Sequence, residues 1–276
     1  MKRLHLFSAI LFALTVASAS AEWRKDVEFA KPGGFSLTLD AWVPDGPGPF
    51  PAVIVVHGGG FTGGDRQTYV KPLFDPLTKA GFSWFTINYR LAPKFPFPAA
   101  TEDLETAIRW VKKNSAAYKA DPRRVAIAGE SAGGHLVAFV GAKHGPGADV
   151  AAVVSFYGPH DFEARARKHQ TLSDGLKGFL KVAALDDEGY RLMRQASPAT
   201  YISANMPPYL LIHGTADPLV DYEQSVEMCA RMKKAGASCE LITVEGAGHG
   251  VENWEKNPEH QAYKARMVEW LKAKLH

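Results

Sequence analysis

Short runs of branched apolar residues alternate along this chain with longer stretches of helical spacing. Residues 52–56 read Ala-Val-Ile-Val-Val with no polar position, as a strand buried on both faces does. Similar short runs stand at 83–88, 125–129, 151–156, 209–212 and 239–244. Between them, 68–80, 99–118, the stretch opening at Ser131, 221–234 and 260–275 read as helices; Leu104, Ile108 and Val111 share one helical face. This alternation predicts a mainly parallel sheet covered by helices on both sides. Residues 36–43 alternate in polarity and are expected as an antiparallel edge strand, and 44–51 is a Pro/Gly connector. Residues 160–200 break the rhythm, being polar and long, with one short apolar piece at 178–185. An insertion there is expected to form a small lid over the carboxyl ends of the strands. No linker divides the chain.

The first residues follow a different pattern. Lys2 and Arg3 precede a mostly apolar run over 6–16, then Ala19-Ser20-Ala21, and the first acid is Glu22. That order predicts a secretory signal peptide over 1–21, too short to span a membrane, and a mature chain of 22–276 that is secreted or periplasmic. Without Lys2 and Arg3 the balance is 30 basic to 29 acidic residues, so charge gives no case for a nucleic-acid partner or an anionic membrane. A hydrophobic content of 46% is that of an ordinary globular protein. Export permits a disulfide between Cys229 and Cys239, which are expected on a helix and at the start of the next strand; two buried thiols are the alternative.

The chemistry centres on Gly129-Glu130-Ser131-Ala132-Gly133, which lies between a predicted strand and a predicted helix. A serine on so sharp a turn presents its hydroxyl outward, and the flanking glycines leave room for the backbone. A serine hydroxyl needs a base within hydrogen-bond reach, and the base needs an orienting acid. Of ten histidines, His249 is the one in a glycine-rich loop that follows a strand downstream of the serine. Asp217, in His213-Gly214-Thr215-Ala216-Asp217, is preferred as the acid over Asp221, expected as a helix N-cap, and over Asp161. The order Ser131, Asp217, His249 is that of an α/β-hydrolase. His57-Gly58-Gly59-Gly60 follows the most apolar strand, where bare backbone N–H groups can converge on an oxyanion. Phe61 and Tyr157 are candidates to line the acyl pocket, with ordinary packing as the alternative. His135 is read as structural, 94–98 as a rigid loop, and the run Arg165-Ala166-Arg167-Lys168-His169 as a solvated helix face, with contact to a uronic acid or other anionic group as the alternative.

Together these motifs, with Asn88-Tyr89-Arg90-Leu91-Ala92-Pro93, Phe97-Pro98-Ala99-Ala100 and Ser197-Pro198, resemble the hormone-sensitive-lipase-like branch of the α/β-hydrolases. Within it, the chain resembles small esterases of the feruloyl-esterase-like and carbohydrate-esterase-like type. The resemblance covers about 40–275. It implies an eight-stranded α/β-hydrolase fold with Ser131, Asp217 and His249 as the triad. It also implies an oxyanion hole from the N–H groups of Gly59, Gly60 and Ala132. Glu130 departs from the aspartate that many relatives carry. The resemblance implies no metal or cofactor, and no H-E-x-x-H or Cys/His cluster stands in this sequence. The expected function is hydrolysis of short-acyl or aromatic esters, small or linked to polysaccharide. A serine exopeptidase and a non-catalytic binding protein are the other readings; the first lacks a gating domain, and the second usually loses a triad member.

Overall fold

The computed structural model describes residues 20–275, so the expected leader falls almost wholly outside them. Its strands are β1 (Glu22–Ala30), β2 (Leu37–Val43), β3 (Phe50–Val56), β4 (Ser83–Ile87), β5 (Ala120–Glu130), β6 (Ala152–Phe156), β7 (Tyr209–Gly214) and β8 (Cys239–Val244). They form one sheet in the order β1-β2-β4-β3-β5-β6-β7-β8. The pairs β1/β2 and β2/β4 are antiparallel, and the remaining pairs are parallel. The alternation predicted the mainly parallel sheet, and the eight strands are those the resemblance implied.

The two-residue period of a strand divides β3 between two cores. Ala52, Ile54 and Val56 pack on one side with α2 (Ala99–Lys113), α3 (Ala132–Ala142) and α7 (Glu223–Lys234). Val53 and Val55 face α1 (Phe74–Lys79), α8 (Val251–Trp254) and α9 (Tyr263–Lys274) on the other. After β3 the chain adds β4 on one flank and then β5 on the other. The carboxyl ends of β3 and β5 therefore border the crevice where α/β sheets place their sites.

Three expectations change in detail. Residues 37–43 are not at the edge: β1 pairs outside them. Its polar reading Glu-Trp-Arg-Lys-Asp suits an exposed edge, where charge blocks pairing with another chain. The helix expected over 68–80 shrinks to a 3-10 turn at Lys71–Leu73 and the short α1, because Tyr69 takes φ +65° and Pro72 lacks an N–H. Residues 160–200 hold three helices, α4 (Phe162–His169), α5 (Asp174–Leu180) and α6 (Asp187–Ala196). Phe162, Ala166, Leu176, Phe179 and Met193 join the core on the α3 side, so the insertion is firmly packed rather than draped over the surface. Cys229 and Cys239 form a disulfide that ties α7 to β8.

Backbone approaches backbone closely at the β5–α3 turn. A Cβ on Gly133 would stand 2.2 Å from the Val56 carbonyl oxygen and 2.5 Å from that of His57. One on Gly129 would meet the Gly133 oxygen at 2.4 Å. Gly133→Ala is expected to lower the unfolding free energy by about 1–3 kcal/mol, the usual cost of overpacking, measured from urea midpoints.

Candidate functional site

Ser131 occupies the turn itself, with φ +54° and ψ −117°, a conformation that side chains other than glycine rarely take. Its N–H bonds to the Phe156 carbonyl at the end of β6 and its own carbonyl accepts from His135, so both sides of the turn are pinned. The hydroxyl lies 2.9 Å from His249 Nε2, and His249 Nδ1 lies 2.7 Å from Asp217 Oδ2. The structure thus brings the three side chains into one hydrogen-bonded line. Nδ1–H donates to the carboxylate, which leaves Nε2 as the acceptor for the serine proton.

Adjacent strands explain how the acid and the imidazole meet. Asp217 follows β7 and His249 follows β8, and the two loops are tied by Ala216 N–H to Ala247 O and Gly246 N–H to Thr215 Oγ1. Beyond His249, α8 holds the loop: Asn253 Nδ2 donates to the His249 carbonyl and Trp254 Nε1 to that of Gly248. The Asp217 side chain is wholly buried. Burial alone would raise its pKa. Hydrogen bonds from His213 and His249, the charge of His249 and the Val220 N–H prevail, and hold it well below the usual carboxylate range. Leu219 N–H also donates to Oδ1. His213 was not singled out by the sequence reading, although it stands four residues before the acid. Its Nε2 reaches both Asp217 Oδ2 (3.3 Å) and the Val220 carbonyl (3.0 Å), and its Nδ1 meets Ser225 Oγ.

On the other side of Ser131 lies the glycine loop. The Tyr89 hydroxyl donates to the carbonyls of His57 and Gly58, and its ring stacks on the buried His57. These bonds fix the loop's first carbonyls against Tyr89. Among the described residues the N–H groups of Gly59, Gly60 and Ala132 donate to no protein acceptor. Asn88 Oδ1 accepts from Arg66 N–H, and Arg66 Nε pairs with the buried Asp40. Arg90 pairs with Asp103 of α2. The Asn88-Tyr89-Arg90 stretch thereby anchors the loop to its surroundings.

Two lobes open on either side of the Ser131–His249 pair. One, of about 460 Å³, is lined by Gly59, Tyr69, Glu130, Leu219, Glu252 and Asn253. The other, of about 290 Å³, is lined by Phe61, Ala132, Phe162, Arg165, Leu176 and Val220. Gly60, Leu219 and both members of the pair border each lobe. Phe61 does reach a lobe, while its ring stacks on Phe179. Tyr157 does not: it is fully buried beneath His249, ring centroids 4.5 Å apart, and its hydroxyl accepts from Val251 N–H. This corrects its expected place in the acyl pocket, because the positive φ at residue 157 turns the ring under the loop instead of into the cleft. Asp221 does not cap α7 with its carboxylate, which instead meets His169 Nε2 at 2.6 Å. Asp161 caps α4. His135 is buried, bonded through Nδ1 to the Pro159 carbonyl and stacked on Phe162. Exposed Tyr69 and Leu219 at the rim carried no sequence signal, since only the folded loops bring them to the cleft.

The comparisons with known proteins agree with this architecture. The BD-FAE family model matches residues 39–232. The chain belongs to the BD-FAE family. It is 34% identical to esterase LipQ of Mycobacterium tuberculosis (strain ATCC 25618 / H37Rv) over 75% of this chain and 52% of that protein. The chain spans about half the length of the curated relatives it matches. A truncated carbohydrate esterase from gut microbiota superposes with a TM-score of 0.78 at 25% identity, covering 94% of this chain and 98% of that one. A butyrate-bound thermophilic esterase from Thermogutta terrifontis gives 0.74 at 26%, covering 92% and 94%. The fold is therefore that of the α/β-hydrolase esterases.

Glu130, beside the serine, carries the site's unusual charge. Its Oε1 is buried without a hydrogen-bond partner among the described residues, and a Cβ on Gly58 would stand 2.0 Å from it. Burial pushes the carboxyl up to about 7; the Glu252 charge adds to this, while His249, the Gly58 N–H and the Tyr157 hydroxyl oppose it. Because the folded pKa lies above the unfolded one, the folded chain holds an extra proton between about 4.5 and 7. Stability through this group falls as pH rises across that window. Glu130→Gln is expected to melt at a higher temperature than the native chain above pH 7. The gap should close as pH falls towards about 4.5, followed by thermal melts across a pH series.

Proposed function

We propose that this chain is a secreted serine carboxylic-ester hydrolase. It acts on short-acyl or aromatic esters of the acetyl and feruloyl kind, including those on plant polysaccharide. The observation that carries the reading is the unbroken hydrogen-bonded line from Ser131 through His249 to buried Asp217, set between two open lobes. Ser131 Oγ attacks the ester carbonyl while His249 Nε2 takes its proton. Asp217 keeps the imidazole in the needed tautomer and favours its charged form. The oxyanion is met by the free N–H groups of Gly59, Gly60 and Ala132; one such donor typically lowers the barrier by about 3 kcal/mol. His249 then protonates the leaving alcohol, which leaves an acyl group on Ser131. A water that gives its proton to His249 releases the acid.

Substrate class follows from the shape of the lobes and from the relatives. The smaller lobe is lined mainly by apolar side chains and suits a short acyl chain or one ring. The larger one is bordered by exposed Tyr69 and Leu219, surfaces on which a sugar or aryl ring can rest. A carbohydrate esterase and a butyrate-bound esterase among the structural relatives support both halves of this reading. The sheet begins at Glu22, next to the expected cleavage site, and the Cys229–Cys239 disulfide suits an oxidising compartment. Both support 1–21 as a signal peptide and 22–276 as one catalytic domain. Among the described residues no helix is long and apolar enough to cross a membrane.

Ser131→Ala should abolish hydrolysis of p-nitrophenyl acetate and labelling by a fluorophosphonate, and residual turnover at the native rate would refute the nucleophile. Asp217→Asn should lower kcat by about four orders of magnitude, as loss of the orienting acid does elsewhere. Across p-nitrophenyl acetate, butyrate and octanoate, kcat/KM should fall at octanoate; a rise there would contradict the short-acyl reading.

A further inference from the structure

The charged run on α4 separates into paired and unpaired members once folded. Arg167 pairs with Glu163, Lys168 with Asp221 and Glu223, and His169 with Asp221. Arg165 alone of the four lines the smaller lobe beside Ser131. Among the described residues its guanidinium forms no ion pair within 4 Å. Nη2 donates to the Leu219 carbonyl at 2.9 Å, and Nε is buried with no acceptor. Asp221 lies near enough to feel its charge, but that carboxylate is already bonded to His169.

A guanidinium has five N–H donors and cannot shed its charge, so leaving it short of acceptors beside apolar walls costs free energy. The apolar neighbours Phe61, Phe162, Leu176 and Val220 weaken screening of that charge by water. The larger lobe has the opposite sign, being lined by the Glu252 carboxylate. An anion entering the cleft is repelled from one side of Ser131 and attracted to the other.

We propose that Arg165 is a specificity-determining residue that selects esters bearing a carboxylate a few bonds from the scissile carbonyl, with that carboxylate seated in the smaller lobe. The inference rests on the ester-hydrolase reading and refines it. Arginine suits this task because its planar fork matches a carboxylate and adds charge-assisted hydrogen bonds. The carboxylate comes either from the acyl group, as in a hemiester of a dicarboxylic acid, or from the alcohol, as in an acylated hydroxy acid or acylated uronic acid. The chemistry at Arg165 is the same for both.

The test is a pair of ratios of kcat/KM. One arm compares monomethyl glutarate with the ester in which an isopropyl group replaces the carboxylate. The other compares the acetate ester of γ-hydroxybutyrate with its isopropyl counterpart. In the native chain the carboxylated ester should lead in one arm, which identifies the side of the ester that enters the lobe. Arg165→Met should reduce that ratio by about 10- to 100-fold, the usual worth of a hydrogen bond to a charged group, and Arg165→Lys should retain part of it. Lys168→Met, on the same helix but paired away from the cleft, should keep the native ratio. Turnover of neutral esters without carboxylate preference in either arm would overturn the inference and leave the hydrolase reading standing. An unchanged ratio in Arg165→Met would do the same. Failure to cleave any ester, together with no phosphonate labelling of Ser131, would overturn both.

Discussion

Ser131 holds a backbone conformation that costs on the order of 1–3 kcal/mol, and the surrounding contacts determine it completely. Gly133 lies against the carbonyls of Val56 and His57, Gly129 against Gly133, and the Ser131 N–H is taken by Phe156. The turn is thus wedged between the ends of β3 and β6. This wedge sets the height of the hydroxyl above the sheet and the distance from Ala132 to the glycine loop. Everything proposed for the chemistry depends on that one close approach of α3 to the neighbouring strand end.

From this point the rest of the site is assembled by strand order. Parallel strands present their carboxyl ends to one edge, so loops after β3, β5, β7 and β8 share a crevice although they are far apart in sequence. The neighbouring positions of β7 and β8 bring Asp217 and His249 within 2.7 Å, and His213 gives the carboxylate a second donor. The buried acid is therefore stably ionised, which a carboxylate in an apolar site would not be without such partners. Glu130 shows the contrary case. It lies one residue from the serine, where burial outweighs the Gly58 N–H and the Tyr157 hydroxyl, and it keeps its proton up to about 7.

The insertion between β6 and β7 does two jobs at once. Its apolar residues complete the core on the α3 side, and α5 backs the glycine loop so closely that a Cβ on Gly175 would stand 2.5 Å from the Gly60 oxygen. Its α4 meanwhile closes the smaller lobe with Phe162 and Arg165 and bonds to the Leu219 carbonyl of the acid loop. One helix thus touches both the smaller lobe and the loop that carries the acid.

Sequence by itself determined every strand of the sheet but Glu22–Ala30, the long helices α2, α3, α7 and α9, and the three side chains that meet at the site. Periodicity reports burial, and a serine between two glycines at a strand end, or a histidine in a glycine loop after a strand, carries its reason in local backbone sterics. The folded chain decided what depends on contacts distant in sequence. The charged strand Glu22–Ala30 lies outside 37–43 because pairing, not composition, sets an edge. Tyr157 turned beneath His249 since a positive φ there redirects its ring, and Asp221 gave its carboxylate to His169 instead of a helix cap. In the run 165–169, identical charge concealed different fates, because only tertiary packing distributes acidic partners. Three members found them and Arg165 was left facing the cleft.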